Sequence, residues 1–413
     1  MTTTDATQSA PSPPPPAPPA PAADAPRLVV AHWPHLRAKD STARIMWSVA
    51  IALVPAAVFS GYVFGWRAYL HIGLAVATAV GLEALITYLR PSRPIPSAVP
   101  ATWWRRTGLT VGDGSAVVTG ILVAFCLPAQ VRWFVPVVAA AVAIGIAKQA
   151  FGGLGCNIWN PALVGRAFVH VSFPTDMNPA SYPVLTGDHF IGNVGTAVWS
   201  GGGGADAVSA ASPGVHAISG ASPLVHLKQY AMNGVWHDLS AQEFHRRLPD
   251  LWRMFLGTIG GDLGETSALL LLVGAACLIY KGWIRWQVPL AYLGTVALGA
   301  LVLPIAIQAG GPEPVLRPIL LGNPAVAPVF VAYHLLAGGV MLGALFMATD
   351  MVTSPLTSKG LWIFGAGCGL LTILFRFYSH AYPEGVCYSI LLMNTAAPLI
   401  DRWTQPRIFG HTR

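Results

Sequence analysis

The sequence predicts an all-α polytopic membrane protein: about ten transmembrane helices, arranged as two inverted five-helix repeats with broken or short helices. Three observations carry that prediction. Hydrophobic residues make up 54% of the 413 residues and charged residues only 10%. A soluble domain carries about 25% charged residues, so this chain cannot build a water-facing surface all round. The mean hydropathy is +0.56. Apolar runs recur along the chain, and basic residues gather in the short links between them.

Residues 1–40 read as a disordered, Pro-rich cytoplasmic tail, with the run Pro13 to Pro16 inside it. The tail lacks the basic and apolar regions of a signal peptide, so the first apolar run is its own insertion signal. The first transmembrane repeat is expected over 41–173. Its runs are 45–64, 68–89, a short one at 115–127 closed by Pro128, 133–151, and an irregular one at 161–173. A polar stretch, 174–264, forms an extracytoplasmic loop region. The second repeat, 265–401, holds runs at 267–280, 288–307, 325–348, 361–377 and 386–400, and 402–413 is a cytoplasmic tail. Each run is judged against the roughly 20 residues that cross a bilayer.

Charge sets the orientation. Arg37, Lys39 and Arg44, then Arg90, Arg93, Arg105 and Arg106, then Lys281 and Arg285, then Arg402 and Arg407 all fall on one side if ten runs cross. By the positive-inside rule that side is the cytoplasm, and both termini lie there. The stretch 174–264, with seven acids against four basic residues, falls outside. Five crossings per half force the halves into opposite orientations, and interrupted runs at matching places point to broken helices around a midplane site. The net charge of +7 follows from these links, so the partner is the lipid bilayer and no nucleic acid is expected. The five cysteines form no CxxC pair and read as small buried side chains, with no metal site.

Four stretches can carry chemistry. Lys148 leads into Gly152-Gly153-Leu154-Gly155-Cys156-Asn157-Ile158-Trp159-Asn160-Pro161. Glycines there let the backbone approach a neighbour closely; tight helix packing and a ligand cradle both remain open. Gly260-Gly261-Asp262-Leu263-Gly264-Glu265-Thr266-Ser267 opens the sixth run, with Glu265 and Ser267 expected in the first helical turn. Asp350 ends the eighth run among hydroxyl side chains, and Glu83 and His334 lie inside apolar runs. Ionisable groups at such depth are candidates for ion or proton coupling. Ser219-Gly220-Ala221-Ser222-Pro223 lies in the long outer region, where small residues leave a hydroxyl accessible.

Taken together the chain resembles the family of the D subunit of the Rnf electron-transport complex and the B subunit of the sodium-pumping NADH:quinone reductase. The resemblance rests on Ser41-Thr42…Arg44-Ile45-Met46, Phe64-Gly65-Trp66-Arg67, Asp113-Gly114-Ser115-Ala116, Gly152 to Arg166, Gly264-Glu265-Thr266-Ser267, Phe346 to Pro355 and Tyr382-Pro383-Glu384-Gly385. The N-terminal pieces are more like the Rnf member. It implies a membrane flavoprotein of the cell inner membrane, relaying electrons between other Rnf-type subunits and inactive alone, in a redox-driven translocase of Na+ or H+. It also implies FMN joined through its phosphate to a hydroxyl by a flavin transferase; the matching position is Ser222, flanked by Gly220 and Ala221. A second, noncovalent flavin such as riboflavin would sit where Gly152, Gly153, Gly155, Asn157 and Asn160 line or shape a buried site, with Asp350 and Glu83 as coupling candidates. No catalytic residue and no metal is expected in this protein.

Serine at 222 stands where the family has threonine, and His216 where it has an acid. The other readings are a quinone-reductase B subunit, a flavin-free scaffold, and a solute channel of the same fold.

Overall fold

The structure, a computed structural model, describes residues 40–89, 111–177, 182–184, 218–220, 224, 250–257, 261–265, 267–307, 315–322, 324–379 and 385–405. Ser222, Ala221 and His216 lie outside the described residues, as does nearly all of the segment 1–40.

The body that begins at Ser41 is a bundle of helices. α1 (Thr42–Phe64) starts where the Ser41 side chain accepts from the Arg44 N–H, and stops at Gly65, whose φ of 78° reverses the chain into α2 (Trp66–Leu89). α3 (Ser115–Phe125) is short, about half a bilayer at 1.5 Å per residue. α4 (Phe134–Val142) continues as a π-helical turn over Ala143–Gln149. α5 (Pro161–Ser172) has a strong start: Asn160 accepts from the Ala162 N–H, and Pro161 occupies the first turn where its missing donor costs nothing.

After α6 (Leu251–Leu256) comes a 3₁₀ turn at Leu263–Glu265, then α7 (Ala268–Tyr280), capped by the Ser267 hydroxyl. Glu265 therefore precedes the helix that was expected to contain it. α8 spans Gln287–Val302. α9 (Ile319–Gly322) is one turn, and α10 (Ala327–Leu336) meets α11 (Val340–Leu342, continued as a π turn over Gly343–Met347) at a 66° bend. α12 (Ser358–Tyr378) and α13 (Val386–Thr404) complete the chain.

The chain is not purely helical. Tyr182–Val184 (β1) pairs antiparallel with Ile218–Gly220 (β2), and Pro304–Ile307 (β3) with Val315–Pro318 (β4). The second pair corrects the run read as 288–307. Pro304 cannot donate within a helix, so α8 ends at Val302 and the last apolar residues turn into strand. By length and composition α1, α2 and α12 are long and apolar enough to cross a bilayer, and the bent α10–α11 pair makes a fourth. α3, α4, α7 and α8 are apolar but shorter.

Small residues set the packing. A Cβ on Gly120 would lie 2.6 Å from the Val76 Cα, so α3 can press onto α2 only with glycine there. Gly365 and Gly369 do the same for α12 against the Val288 and Tyr292 carbonyls of α8. α2 packs on α3 and α4, and α4 on α5; α8 packs on α10 and α12, and α12 on α13. α1 and α7 pack on each other, as do α5 and α13.

The bend between α10 and α11 frees helix-terminal carbonyls inside the bundle, where each needs a donor. The buried Arg376 of α12 supplies them, donating to the His334 carbonyl and, at 2.8 Å, to the Ala337 carbonyl. Gly338, with a φ of 69°, makes the turn. In the same half the hydroxyls of Tyr292, Thr372 and Ser389 join α8, α12 and α13 through two 2.7 Å bonds.

Candidate functional site

A cleft opens between the two halves of the bundle and is continuous with solvent. Its walls come from the start of α1 (Ile45, Met46, Val49), α3 (Ser115, Thr119, Leu122), the π turn that ends α4 (Lys148), the turn before α5 (Leu154, Asn157, Asn160), Trp283 after α7, Phe346 in the π turn of α11, and Thr349, Asp350, Met351 and Val352 just beyond it. These segments meet at the end of the bundle where α1 begins.

The asparagines are fixed before any ligand arrives. Asn160 accepts from the Ala162 N–H at 3.0 Å and donates to the Met347 carbonyl at 3.1 Å, tying the start of α5 to the π turn of the other half. Asn157 donates to the Trp159 carbonyl at 3.3 Å and hydrogen-bonds Asp350. Asp350 also accepts from the Val352 N–H at 3.4 Å and the Thr353 hydroxyl at 3.2 Å. In this turn beyond the span, burial pushes the Asp350 carboxyl up, and those three bonds pull it back down.

Lys148 has no role that the sequence alone assigns. Its ammonium is 2% exposed and has three donors. They meet the Glu83 Oε1 at 2.9 Å, the Glu83 Oε2 at 2.7 Å and the Ser115 Oγ at 2.7 Å. Gln149 donates to the same carboxylate at 3.2 Å, and the Ser115 hydroxyl donates to the Asp113 Oδ1 at 2.6 Å. Glu83 is absent from the cleft wall; it meets the cleft through its partner. The signal in the sequence is one acid and one base, each alone in an apolar run.

Gly152, Gly153 and Gly155 have φ of 125°, 100° and 93°, a left-handed backbone that only glycine adopts without strain. They shape the turn that carries Asn157 and do not line the cleft. Gly220 ends β2, paired with Tyr182.

Deeper in the bundle, side chains from the two halves meet directly. Cys126, after α3, and Met347 bring their sulfurs to 4.0 Å. Beyond them Gly264 packs on Phe125 and Leu342, and Arg166 of α5 pairs with Asp262 at 2.8 Å with both side chains buried. The sequence does not reveal that pair either, because its members lie 96 residues apart.

Residues 29–410 match the family model described as NQR2, RnfD, RnfE. The D subunit of the Na+-translocating ferredoxin:NAD+ oxidoreductase complex of Acetobacterium woodii is 40% identical over 388 residues, 94% of this chain and 96% of its own length. The D subunit of the proton-translocating ferredoxin:NAD+ oxidoreductase complex of Clostridium ljungdahlii is 39% identical, over 92% and 95%. The D subunit of an ion-translocating oxidoreductase complex of Stutzerimonas stutzeri is 37% identical, over 90% and 93%.

Proposed function

The chain belongs to the NQR2, RnfD, RnfE family, and from that premise we propose that it is the D-type membrane subunit of an Rnf-type ion-translocating oxidoreductase complex. Its relatives at 37–40% identity carry that description, which supports it over the quinone-reductase alternative. The protein works inside the complex, with other Rnf-type subunits as its electron donors and acceptors. One relative is named for Na+ and another for protons, so the ion is a property of the complex and not of the family.

In this reading the chain crosses the inner membrane ten times as two inverted repeats, with both termini cytoplasmic. The matched packing supports it: in each half the second helix packs on the third and fourth, and the fourth on the fifth. The cleft then faces the cytoplasm.

The protein carries electrons on flavin. One FMN is held through its phosphate by Ser222, placed there by a flavin transferase, and a second flavin sits noncovalently in the cleft. The observation that carries the second of these sites is the cleft's own lining. A flavin ring needs apolar contact on its faces and acceptors for its ring N–H. Met46, Leu122 and Phe346 offer the first. Asp350 offers the second: a carboxylate has about four lone-pair sites, and three donors meet this one. Lys148 is neutralised by Glu83, so the cleft suits a phosphate-free flavin better than FMN. When bound, the flavin supplies the electron-accepting chemistry; the chain supplies position and surroundings.

Peptide mass spectrometry tests the tether, after co-expression with the transferase. An FMN adduct on the Ser222 peptide is expected. An unmodified peptide, with the transferase active on a control partner, leaves the cleft as the only flavin site. Extraction of the purified chain should release about one riboflavin per chain, and a chain without it refutes the cleft assignment.

A further inference from the structure

We propose that a groove between the starts of α8 and α12 holds one anionic phospholipid, its phosphate on Arg285 and its acyl chains along the flank of the two helices. The groove is a second opening, beside the cleft. Val288 and Leu361, both buried, form its floor. Its walls are the turn after α7, with Trp283 and Arg285, and the turn before α12, with Ser354, Pro355 and Leu356. α12 is long and apolar enough to cross a bilayer, and it begins here at Ser358. The groove therefore lies where an apolar interior gives way to water, the depth of lipid headgroups. That depth needs only α12 to span; the choice of leaflet rests on the ten-crossing reading, which puts Lys281 and Arg285 in the cytoplasm.

Charge selects the ligand. Arg285 is exposed, and its guanidinium carries five donors. One nitrogen donates to the Leu356 carbonyl at 3.2 Å, which holds the group across the groove from one wall to the other. Lys281 stands over the Trp283 ring of the same wall, its ammonium 4.7 Å from the ring centroid. Among the described residues neither cation forms a salt bridge. The acids of the adjoining segments are engaged elsewhere. Asp401 accepts from the Leu356 N–H at 2.9 Å, Asp350 accepts from Val352 and Thr353, and neither lines the groove. Two cations without an acid, at headgroup depth, attract an anion, and a guanidinium matches a phosphate with two parallel N–H···O bonds. The apolar surroundings say that this anion carries tails. Leu356 is 74% exposed, and Trp286 and Trp362, both exposed, meet edge to face at 5.7 Å beside the groove's helices. Tryptophans at this depth lie along the bilayer interface; a free phosphate would use the cations and none of that surface. Trp283, Thr349 and Met351 line both the groove and the cleft, so a lipid seated here steadies from behind the turn that carries Asp350.

The test uses the full chain, stripped of lipid in a neutral detergent, with native mass spectrometry to count what it retains. The probes are phosphatidylglycerol and phosphatidylcholine with identical acyl chains. One phosphatidylglycerol per chain should be held at concentrations where phosphatidylcholine is not. Arg285→Gln should weaken that retention about fivefold, the worth of one basic residue near a membrane surface, and Lys281→Gln should act in the same direction. Arg285→Lys, which keeps the charge, should recover most of the loss. Arg253→Gln, which removes an equal charge from α6, should change nothing. Melting temperatures of the lipid-free variants show that each is folded. Phosphatidylglycerol with brominated chains should quench tryptophan fluorescence, and less so once Trp286→Phe and Trp362→Phe are combined. Equal retention of the two lipids, unchanged retention in Arg285→Gln, or displacement of the lipid by millimolar inorganic phosphate overturns the proposal. Labelling of Lys281→Cys from the outside refutes the ten-crossing reading by itself, and leaves lipid retention to decide the groove.

Discussion

Glu83→Gln and Lys148→Met, singly and together, form a cycle whose outcome the geometry dictates. All three Lys148 donors meet acceptors, and two of them meet Glu83. Lys148→Met therefore leaves a carboxylate that is 2% exposed, with the neutral Gln149 amide still donating to it but no cation beside it. Breaking a buried pair from one side costs about 3–5 kcal/mol. The double variant removes both charges and fills the space with matched volume, so it should lose far less. The coupling energy should reach about 2–3 kcal/mol, the upper part of the range for contacting residues. The assay is unfolding of the purified chain by denaturant in mixed micelles, each variant read against the unmodified protein. The reasoning is refuted if Lys148→Met costs less than about 1 kcal/mol, or if the two single losses simply add.

Other expectations follow from the same geometry. Arg376→Leu strips donors from the His334 and Ala337 carbonyls; at about 1.5–3 kcal/mol per charge-assisted bond, the loss should be roughly 3–6 kcal/mol, and Arg376→Lys should recover part of it. Gly120→Leu should prevent α3 from seating on α2, read as loss of folded protein in detergent gel filtration, whereas Gly73→Leu, where the space is open, should fold normally. In a background with Cys156 and Cys277 replaced, a cysteine at Lys281 should label only from the cytoplasm and one at Trp252 only from outside; labelling of both from one side contradicts the ten-crossing arrangement. Burial raises the Asp350 carboxyl above its ordinary 3.8, so its contribution to stability is present at low pH and fades as pH rises through the elevated value. Asp350→Asn should flatten that fall in a pH series of melting temperatures.

What the sequence revealed and what it hid divide along physical lines. α1, α2 and α12 were legible because unbroken apolar length is a local property. The start of α5 was legible in Asn160-Pro161 for the same reason, since a cap and a proline act within one turn. The 66° bend at Gly338 was not, because it depends on a guanidinium from another helix to satisfy the freed carbonyls. The two π turns and the strand at 304–307 lay hidden inside runs that hydropathy reads as continuous. At the site, Asn157, Asn160 and Asp350 stood out and do meet in one cleft. Lys148, Ser115 and Arg166 stood only as members of longer motifs, since a pairing between segments leaves no mark in either segment alone.

The pair Arg166–Asp262 has a consequence for how the chain is made. Glu83 and Lys148 both belong to the first half, 65 residues apart, so that half can bury its own charges early. Arg166 must wait for a carboxylate 96 residues downstream. At about 5–20 residues per second of translation, that interval is roughly 5 to 20 s. For those seconds the ribosome has already delivered α5, while the carboxylate it pairs with at 2.8 Å is still to be made. That pair can close only once the chain up to Asp262 has been made, which ties the final seating of α5 to residues beyond the first half.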